Sequence, residues 1–159
     1  MSRVSIAAQP VDTNTLRREL QRPGCGGFCV FEGWVRETNE GREVSGLDYE
    51  AYNELAISEG ERIIDEAVQR FGIADARCVH RVGSLAVGDT AVWIGVVSPH
   101  RDEAFRACRY IIDQVKMRLP IWKRSTIWSV SRPGSPAHMG RPTSTTTRIT
   151  VDGILQPRG

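Results

Sequence analysis

Four groups of cationic side chains stand out because each falls where the chain is about to turn. They are Trp34-Val35-Arg36, His80-Arg81, Ser98-Pro99-His100-Arg101, and Lys116 with Lys123-Arg124. The ends of strands and helices bring the backbone toward solvent, and function gathers there. Arg36 ends a strand pattern. His100-Arg101 opens a long helical pattern, where free backbone N–H groups and the helix dipole favour an anion such as a phosphate. The alternative for this pair is a helix cap or an ordinary surface ion pair. On a helical wheel at about 100° per residue, Lys116 lies about 20° beyond Phe105, at the rim of an apolar stripe. Its stem is expected to be partly desolvated there. Burial disfavours an ammonium, so such a lysine can act as an acid, a base or a nucleophile near neutral pH. Otherwise it snorkels, its methylenes covering the edge of the core. Lys123 follows Pro120-Ile121-Trp122, whose apolar pair would anchor the chain and aim the amine; the other reading is a solvated lysine.

The remaining chemistry-bearing residues fit a site less well. His80-Arg81 sits on a strand pattern, where neighbours point to opposite faces, so at most one of the two reaches any given pocket. The pair reads as mainly structural. His138 lies among glycines and prolines without a partner at ligand spacing, and no metal or catalytic role is assigned to it. Cys25, Cys29, Cys78 and Cys108 form no CxxC pair and have no nearby run of histidines, which argues against a zinc set and a disulfide framework, and Cys25 and Cys29 lack the adjacent base of an activated nucleophile. They read as buried free thiols. No phosphate-binding loop of the Walker type and no GxGxxG is present.

The elements that must position these residues follow from periodicity. Asp12 or Thr13 caps a short helix through Leu16 and Leu20, closed by Pro23-Gly24. Phe28 to Val35 is rich in aromatic and β-branched residues and predicts a strand. The polar stretch from Arg36 to Glu43 then predicts a hairpin loop to a second, antiparallel strand over Val44–Tyr52. Between Asn53 and Phe71, Ala56, Ile63, Ile64, Ala67, Val68 and Phe71 recur at helical spacing, with Gly72 placed as a left-handed cap. Cys78–Val82 and Thr90–Ser98 are further strands; the second sets Val92, Ile94 and Val96 on one face and Trp93 and Val97 on the other, both covered. Ala104, Phe105, Cys108, Ile111, Ile112, Val115 and Leu119 form the clearest helical stripe, and Pro120 stops that helix near Arg118.

A helix followed twice by strand, strand and helix argues for an α+β sandwich with mostly antiparallel pairing. Past Arg124 the composition turns to Ser, Thr, Pro, Gly and Arg, so residues 125–159 read as a tail, with Arg148–Val151 an edge strand. The 159 residues, 40% of them apolar, suit one core rather than two. A net charge of +2, from 21 Lys plus Arg against 19 Asp plus Glu, disfavours nucleic-acid binding. No apolar run reaches the roughly 18 residues of a membrane span, and Met1–Pro10 has no signal-peptide pattern, so a cytoplasmic location is expected.

Five motifs in order then resemble a known family: Phe31-Glu-Gly-Trp-Val-Arg36, Leu47-Asp-Tyr-Glu-Ala-Tyr52, His80-Arg-Val-Gly83, Ser98-Pro-His-Arg101 with Glu103-Ala-Phe105, and Lys116 followed by Pro120-Ile-Trp-Lys-Arg124. They resemble the large, catalytic subunit of molybdopterin synthase, over about residues 24–124. The resemblance implies an α/β hammerhead-like sandwich with an added small antiparallel subdomain, and a catalytic domain spanning 1–124. It implies sulfur transfer from the C-terminal thiocarboxylate of a small ubiquitin-like partner, ending in Gly-Gly, to cyclic pyranopterin monophosphate (precursor Z), which builds the dithiolene of molybdopterin. It also implies a homodimer at the centre of a heterotetramer, with no cofactor and no metal.

Carried over by the same resemblance, Lys116 and Lys123 are the catalytic lysines. Trp34, Val35, Arg36, His100, Arg101, Arg124 and Ser125 join them in binding substrate, with His100 and Arg101 candidates for the neighbouring subunit's site. One position departs from the family: a Glu usually follows the Trp-Lys-Lys/Arg run, and here it is Ser125. Read without the resemblance, the same residues also fit a non-catalytic phosphate- or nucleotide-binding module, in which Lys116 is structural and no small partner protein is needed.

Overall fold

The computed structural model describes residues 2–39, 41–127, 143–144 and 149–150. In chain order the elements are β1 (Val4–Ala7), α1 (Thr13–Leu20), β2 (Gly27–Trp34), β3 (Thr38–Asn39), β4 (Arg42–Ala51), α2 (Asn53–Phe71), β5 (Asp75–Arg81), β6 (Gly83–Ala86), β7 (Thr90–Ser98), α3 (Arg101–Arg118), β8 (Ile121–Ile127), β9 (Thr143–Ser144) and β10 (Ile149–Thr150). They make the expected α+β sandwich, with two sheets.

The first sheet runs β1-β5-β7-β2, antiparallel except where β1 joins β5. Its centre is β7, whose alternation covers both faces. Val92, Ile94 and Val96 meet Ile63, Ile64 and Ala67 of α2 and Ala104, Cys108, Ile111 and Val115 of α3, all of them buried. Trp93 and Val97 meet Leu16 and Leu20 of α1 on the other side. Each fully buried side chain of this kind contributes roughly 1.5–3 kcal/mol. The α1 cap is Asp12, which accepts a hydrogen bond from the Thr15 backbone N–H at 3.1 Å. Gly72 ends α2 with a φ of 67°, in the left-handed position its place in the sequence predicted.

The second sheet, β10-β8-β4-β3, carries β6 on β4 and β9 on β8, and has its own small core of Val35, Val44, Leu47, Leu85 and Ala91. It is the added antiparallel subdomain. Here the structure corrects the expected hairpin: β2 and β4 do not pair. Strand β2 pairs with β7, and β4 pairs with β3, β6 and β8. A register shift at Gly33/Trp34 turns the chain out of the first sheet, and buried Val35 anchors the crossing into the second core. Because only the two-residue β3 separates β2 from β4, periodicity gives no sign that a long-range partner takes each one.

Three further expectations change. Strands β1 and β6, four residues each, are too short to show alternation, and neither was foreseen. Phe105 is 62% exposed and Ala107 takes the buried place, because the stripe on α3 centres on Ile111 and Val115. The boundary drawn at 124 falls inside β8, where Ser125 pairs with Leu47 and Thr126 with Gly46. The expected edge strand at 148–151 corresponds to β10. His138 lies outside the described residues. Of the four thiols, Cys78 and Cys108 are buried, and Cys25 and Cys29 are half-buried. No described helix is long and apolar enough to cross a membrane.

One close contact decides how α2 sits on the first sheet. A Cβ added at Gly60 would stand 2.8 Å from Cγ1 of Val4, which is 1% exposed. Ala in place of Gly gains up to about 1 kcal/mol of helix propensity, whereas overpacking costs roughly 1–3 kcal/mol. Gly60→Ala is therefore expected to destabilise the fold by about 1 kcal/mol. Chemical denaturation checks it; a stabilised variant would show that Val4 yields freely.

Candidate active site

The C-terminal turn of α3 and the start of β8 deliver both lysines to one place. Pro120 stops the helix, Leu119 takes an extended conformation with ψ 132°, and the chain reverses into β8, held by the Tyr52 N–H donating to the Pro120 carbonyl at 3.2 Å. Ile121, 1% exposed, plugs into the main core. Strand alternation then puts Lys123 on the side of Ile121, and Trp122 and Arg124 on the other. Trp122 packs edge-on against Tyr52 at 5.0 Å between ring centroids, and Arg124 lies 3.6 Å from Glu50.

A cavity of about 180 Å³ opens between the two sheets and α3, and Trp34, Arg36, Lys116 and Lys123 all line it. Its apolar wall includes Phe31, Leu47, Val92, Ile112 and Val115, and Tyr49 and His80 complete the lining. Four of the residues singled out by sequence therefore meet. The others do not reach the cavity. Val35 is a core residue of the second sheet, 3% exposed. Arg124 faces away, and Ser125, next on the Lys123 side of β8, does not line the cavity.

His100 and Arg101 stand at the opposite end of α3, where the Gly26 N–H donates to the Pro99 carbonyl at 3.3 Å and Gly27 pairs with Ser98. With a rise of 1.5 Å per residue, the helix separates Arg101 from Lys116 by roughly 22 Å. The His100–Arg101 corner and the two lysines lie at different ends of α3.

Lys116 is exposed, which corrects the expected partial burial of its stem. The reason is the placement of the stripe: Phe105 and Lys116 share one rim of the helix, and both fall outside the buried arc. Trp34 is 65% exposed, its indole N–H donating to Glu32 at 2.9 Å. Sequence reading passed over His80 and Tyr49 as site members. Strand alternation allowed one of His80 and Arg81 to face a pocket, and His80 is the one that does. Arg81 points to the other face, 3.7 Å from Asp89.

The last turn of α3 is fixed to α2 by Arg118. Its Nε donates to Glu59 at 2.7 Å and its two terminal nitrogens to Glu66 at 2.6 and 3.0 Å; the Tyr110 hydroxyl donates to the same Glu66 at 2.7 Å. These hydrogen bonds, from Arg118 first and then Tyr110, hold the Glu66 carboxyl below its ordinary value.

With this geometry in place, likeness to known proteins becomes informative. Residues 6–118 match the family MoaE protein. The molybdopterin synthase catalytic subunit of Pyrococcus abyssi is 46% identical over 125 residues, which cover 77% of this chain and 84% of that protein. The crystal structure of molybdopterin synthase from Staphylococcus aureus superposes with a TM-score of 0.78 at 35% identity, covering 82% of this chain and 95% of the other. A complex of subunits 1 and 2 of molybdopterin-converting factor from Helicobacter pylori contains a chain that superposes at 0.67 with 25% identity, over 79% of this chain and 85% of that one. The fold is that of a molybdopterin synthase subunit. The chain belongs to the MoaE family of molybdopterin synthase catalytic subunits and is an enzyme of that kind.

The Arg118 network gives a pH-dependent expectation. A carboxyl held below its ordinary value stabilises the fold above that value, and the contribution disappears as pH falls through the folded one. Arg118→Gln is expected to lose about 1–2 kcal/mol at neutral pH. That gap from the parent should close as the pH drops below the ordinary Glu value of 4.5. Urea titrations of both proteins at neutral and acid pH check this; a gap that persists in acid would show that Glu66 contributes nothing through its charge.

Proposed function

We propose that the chain transfers two sulfurs, each from the C-terminal thiocarboxylate of a small ubiquitin-like partner ending in Gly-Gly, to cyclic pyranopterin monophosphate. The product is the dithiolene of molybdopterin, in molybdenum cofactor biosynthesis. The observation that carries this reading is the convergence of Lys116, Lys123 and Arg36 on one cavity from α3, β8 and the end of β2. A thiocarboxylate and a phosphorylated pterin are both anions and repel each other in solution. A cationic cavity holds them side by side, and positioning of this kind lowers a barrier by roughly 7–11 kcal/mol at best. Lys116 serves as acid/base or transient covalent partner, and Lys123 orients the thiocarboxylate. The Helicobacter pylori complex of two converting-factor subunits supports a small-protein partner for this chain.

The site is shared between two copies of the chain. A cavity of about 180 Å³ is smaller than the roughly 300 Å³ at the lower end of small-molecule pockets, so one copy encloses only part of the ligand. Strand β2 is an edge of the first sheet among the described residues. One end of it lies beside Pro99 and His100, and the other leads to Arg36. A two-fold axis through the middle of that edge sets the strands antiparallel and carries the His100–Arg101 corner of one copy to the Arg36–Lys116 end of the other. The substrate's phosphate would then sit between Arg36 and the partner's Arg101.

Two outcomes test these readings. Purified protein mixed with thiocarboxylated partner and cyclic pyranopterin monophosphate should form molybdopterin, detected as its fluorescent oxidised pterin. Lys116→Ala should lose at least about a hundredfold in rate, in line with removal of a general acid or base; product formed at the parental rate would remove Lys116 from the mechanism. Lys116→Ala and Arg101→Ala should each be inactive alone, and a mixture of exchanged subunits should regain about a quarter of the parental activity, because half the dimers then hold one intact site. No recovery after proven exchange would show that each chain builds its site alone.

A further inference from the structure

Cations, the side chains of Thr38, Asn39 and Tyr49, and one buried imidazole combine in the polar lining of the cavity. Arg36, Lys116 and Lys123 bring only N–H donors to it, and none of them can accept a hydrogen bond. His80 enters the same cavity from β5 and is 6% exposed. Its Nδ1 lies 2.8 Å from the Arg81 carbonyl oxygen. A carbonyl accepts and never donates, so the hydrogen is on Nδ1 and the ring donates it. A neutral imidazole protonated at Nδ1 has a bare lone pair at Nε2, the distal nitrogen of the ring.

The surroundings keep the ring neutral. Burial pushes His80 below its ordinary value, against a smaller raise from the bond to Arg81. Of the groups that face it, Tyr49 of β4 presents its ring edge-on at 5.1 Å, and Lys116 of α3, Lys123 of β8 and Arg36 after β2 line the same cavity. Tyr49 packs against the imidazole and limits its rotation.

We propose that Nε2 of His80 is a fixed hydrogen-bond acceptor that determines specificity, by taking a hydrogen bond from an N–H or O–H of the bound substrate. The assignment of that substrate rests on the function proposed above. Cations suffice to hold a phosphate or a thiocarboxylate, whose oxygens and sulfur only accept. A reduced pterin ring differs, because its edges carry amide and amine N–H groups. An N–H of such an edge turned toward the cationic side chains would be left unpaired, at a cost comparable to a lost hydrogen bond. A preset acceptor removes that conflict and rejects anionic ligands that lack a donor at the same place.

Two measurements test the proposal separately from the reaction. Nitrogen NMR of the histidine ring in the protein alone should show the neutral form protonated at Nδ1 at neutral pH; an imidazolium or an Nε2–H ring overturns the proposal whatever the enzyme does. His80→Gln and His80→Met have similar length and shape, and only Gln offers a strong acceptor near the position of Nε2. With both confirmed folded by circular dichroism, His80→Met should raise KM for cyclic pyranopterin monophosphate about tenfold, with a smaller change in kcat. His80→Gln should recover most of that loss, and binding of the small partner should be the same in both. Equal KM values for Gln and Met would overturn the acceptor role. If the parent protein forms no molybdopterin, the function proposed above fails, and the tautomer measurement still decides the state of His80.

Discussion

Arg118 bridges Glu59 and Glu66, and this clamp holds the end of α3 against α2 at the point where the site begins. Two residues before it stands Lys116; two residues after it Pro120 stops the helix and the chain reverses into the strand bearing Lys123. A helix end is where packing is weakest and fraying easiest. Fixing that turn with a guanidinium between two carboxylates gives Lys116 a stationary base although its own side chain is exposed. From there the second sheet is positioned too, because β8 pairs with β4 along most of its length and so sets the floor opposite α3.

The distribution of ion pairs across the molecule follows the same division. Arg3, Arg22, Arg77, Arg81, Arg118 and Arg124 all lie within 4.0 Å of a carboxylate. Among the described residues, no such carboxylate is found for Arg36, Lys116, His100 or Arg101. Gathering like charges without counterions opposes folding modestly at an exposed site. What is lost in stability leaves these cations available to an anion, and the two ends of β2 hold the two sets that a pair of chains would bring together.

Much of the architecture could be read from local pattern, and what could not has a common cause. Helix α2 with its Gly72 terminus, the two-faced β7 and the stop at Pro120 are local features, and each stands where its periodicity or turn chemistry placed it. The pairing of β2 with β7 and of β4 with β8 spans most of the chain, and strand propensity says nothing about which partner is taken. Phe105 shows a different limit. The stripe of α3 can be centred on either side of Ile111 from hydrophobicity alone, and the packed structure buries Ala107 and leaves Phe105 exposed. In the site, Arg36, Lys116 and Lys123 were visible as cations at element ends. His80 was not, because a histidine in a strand shows its role only once the partner of each ring nitrogen is known.

Charge attraction is nearly indifferent to direction, so three cations alone would concentrate any small anion with little preference for its shape. Discrimination needs a group whose interaction depends on angle, and an uncharged hydrogen-bonding atom has that property. A second proton on His80 would replace that acceptor with a fourth cation. Burial opposes that proton. Burial therefore keeps the imidazole neutral, and a directional acceptor shares one cavity with Arg36, Lys116 and Lys123.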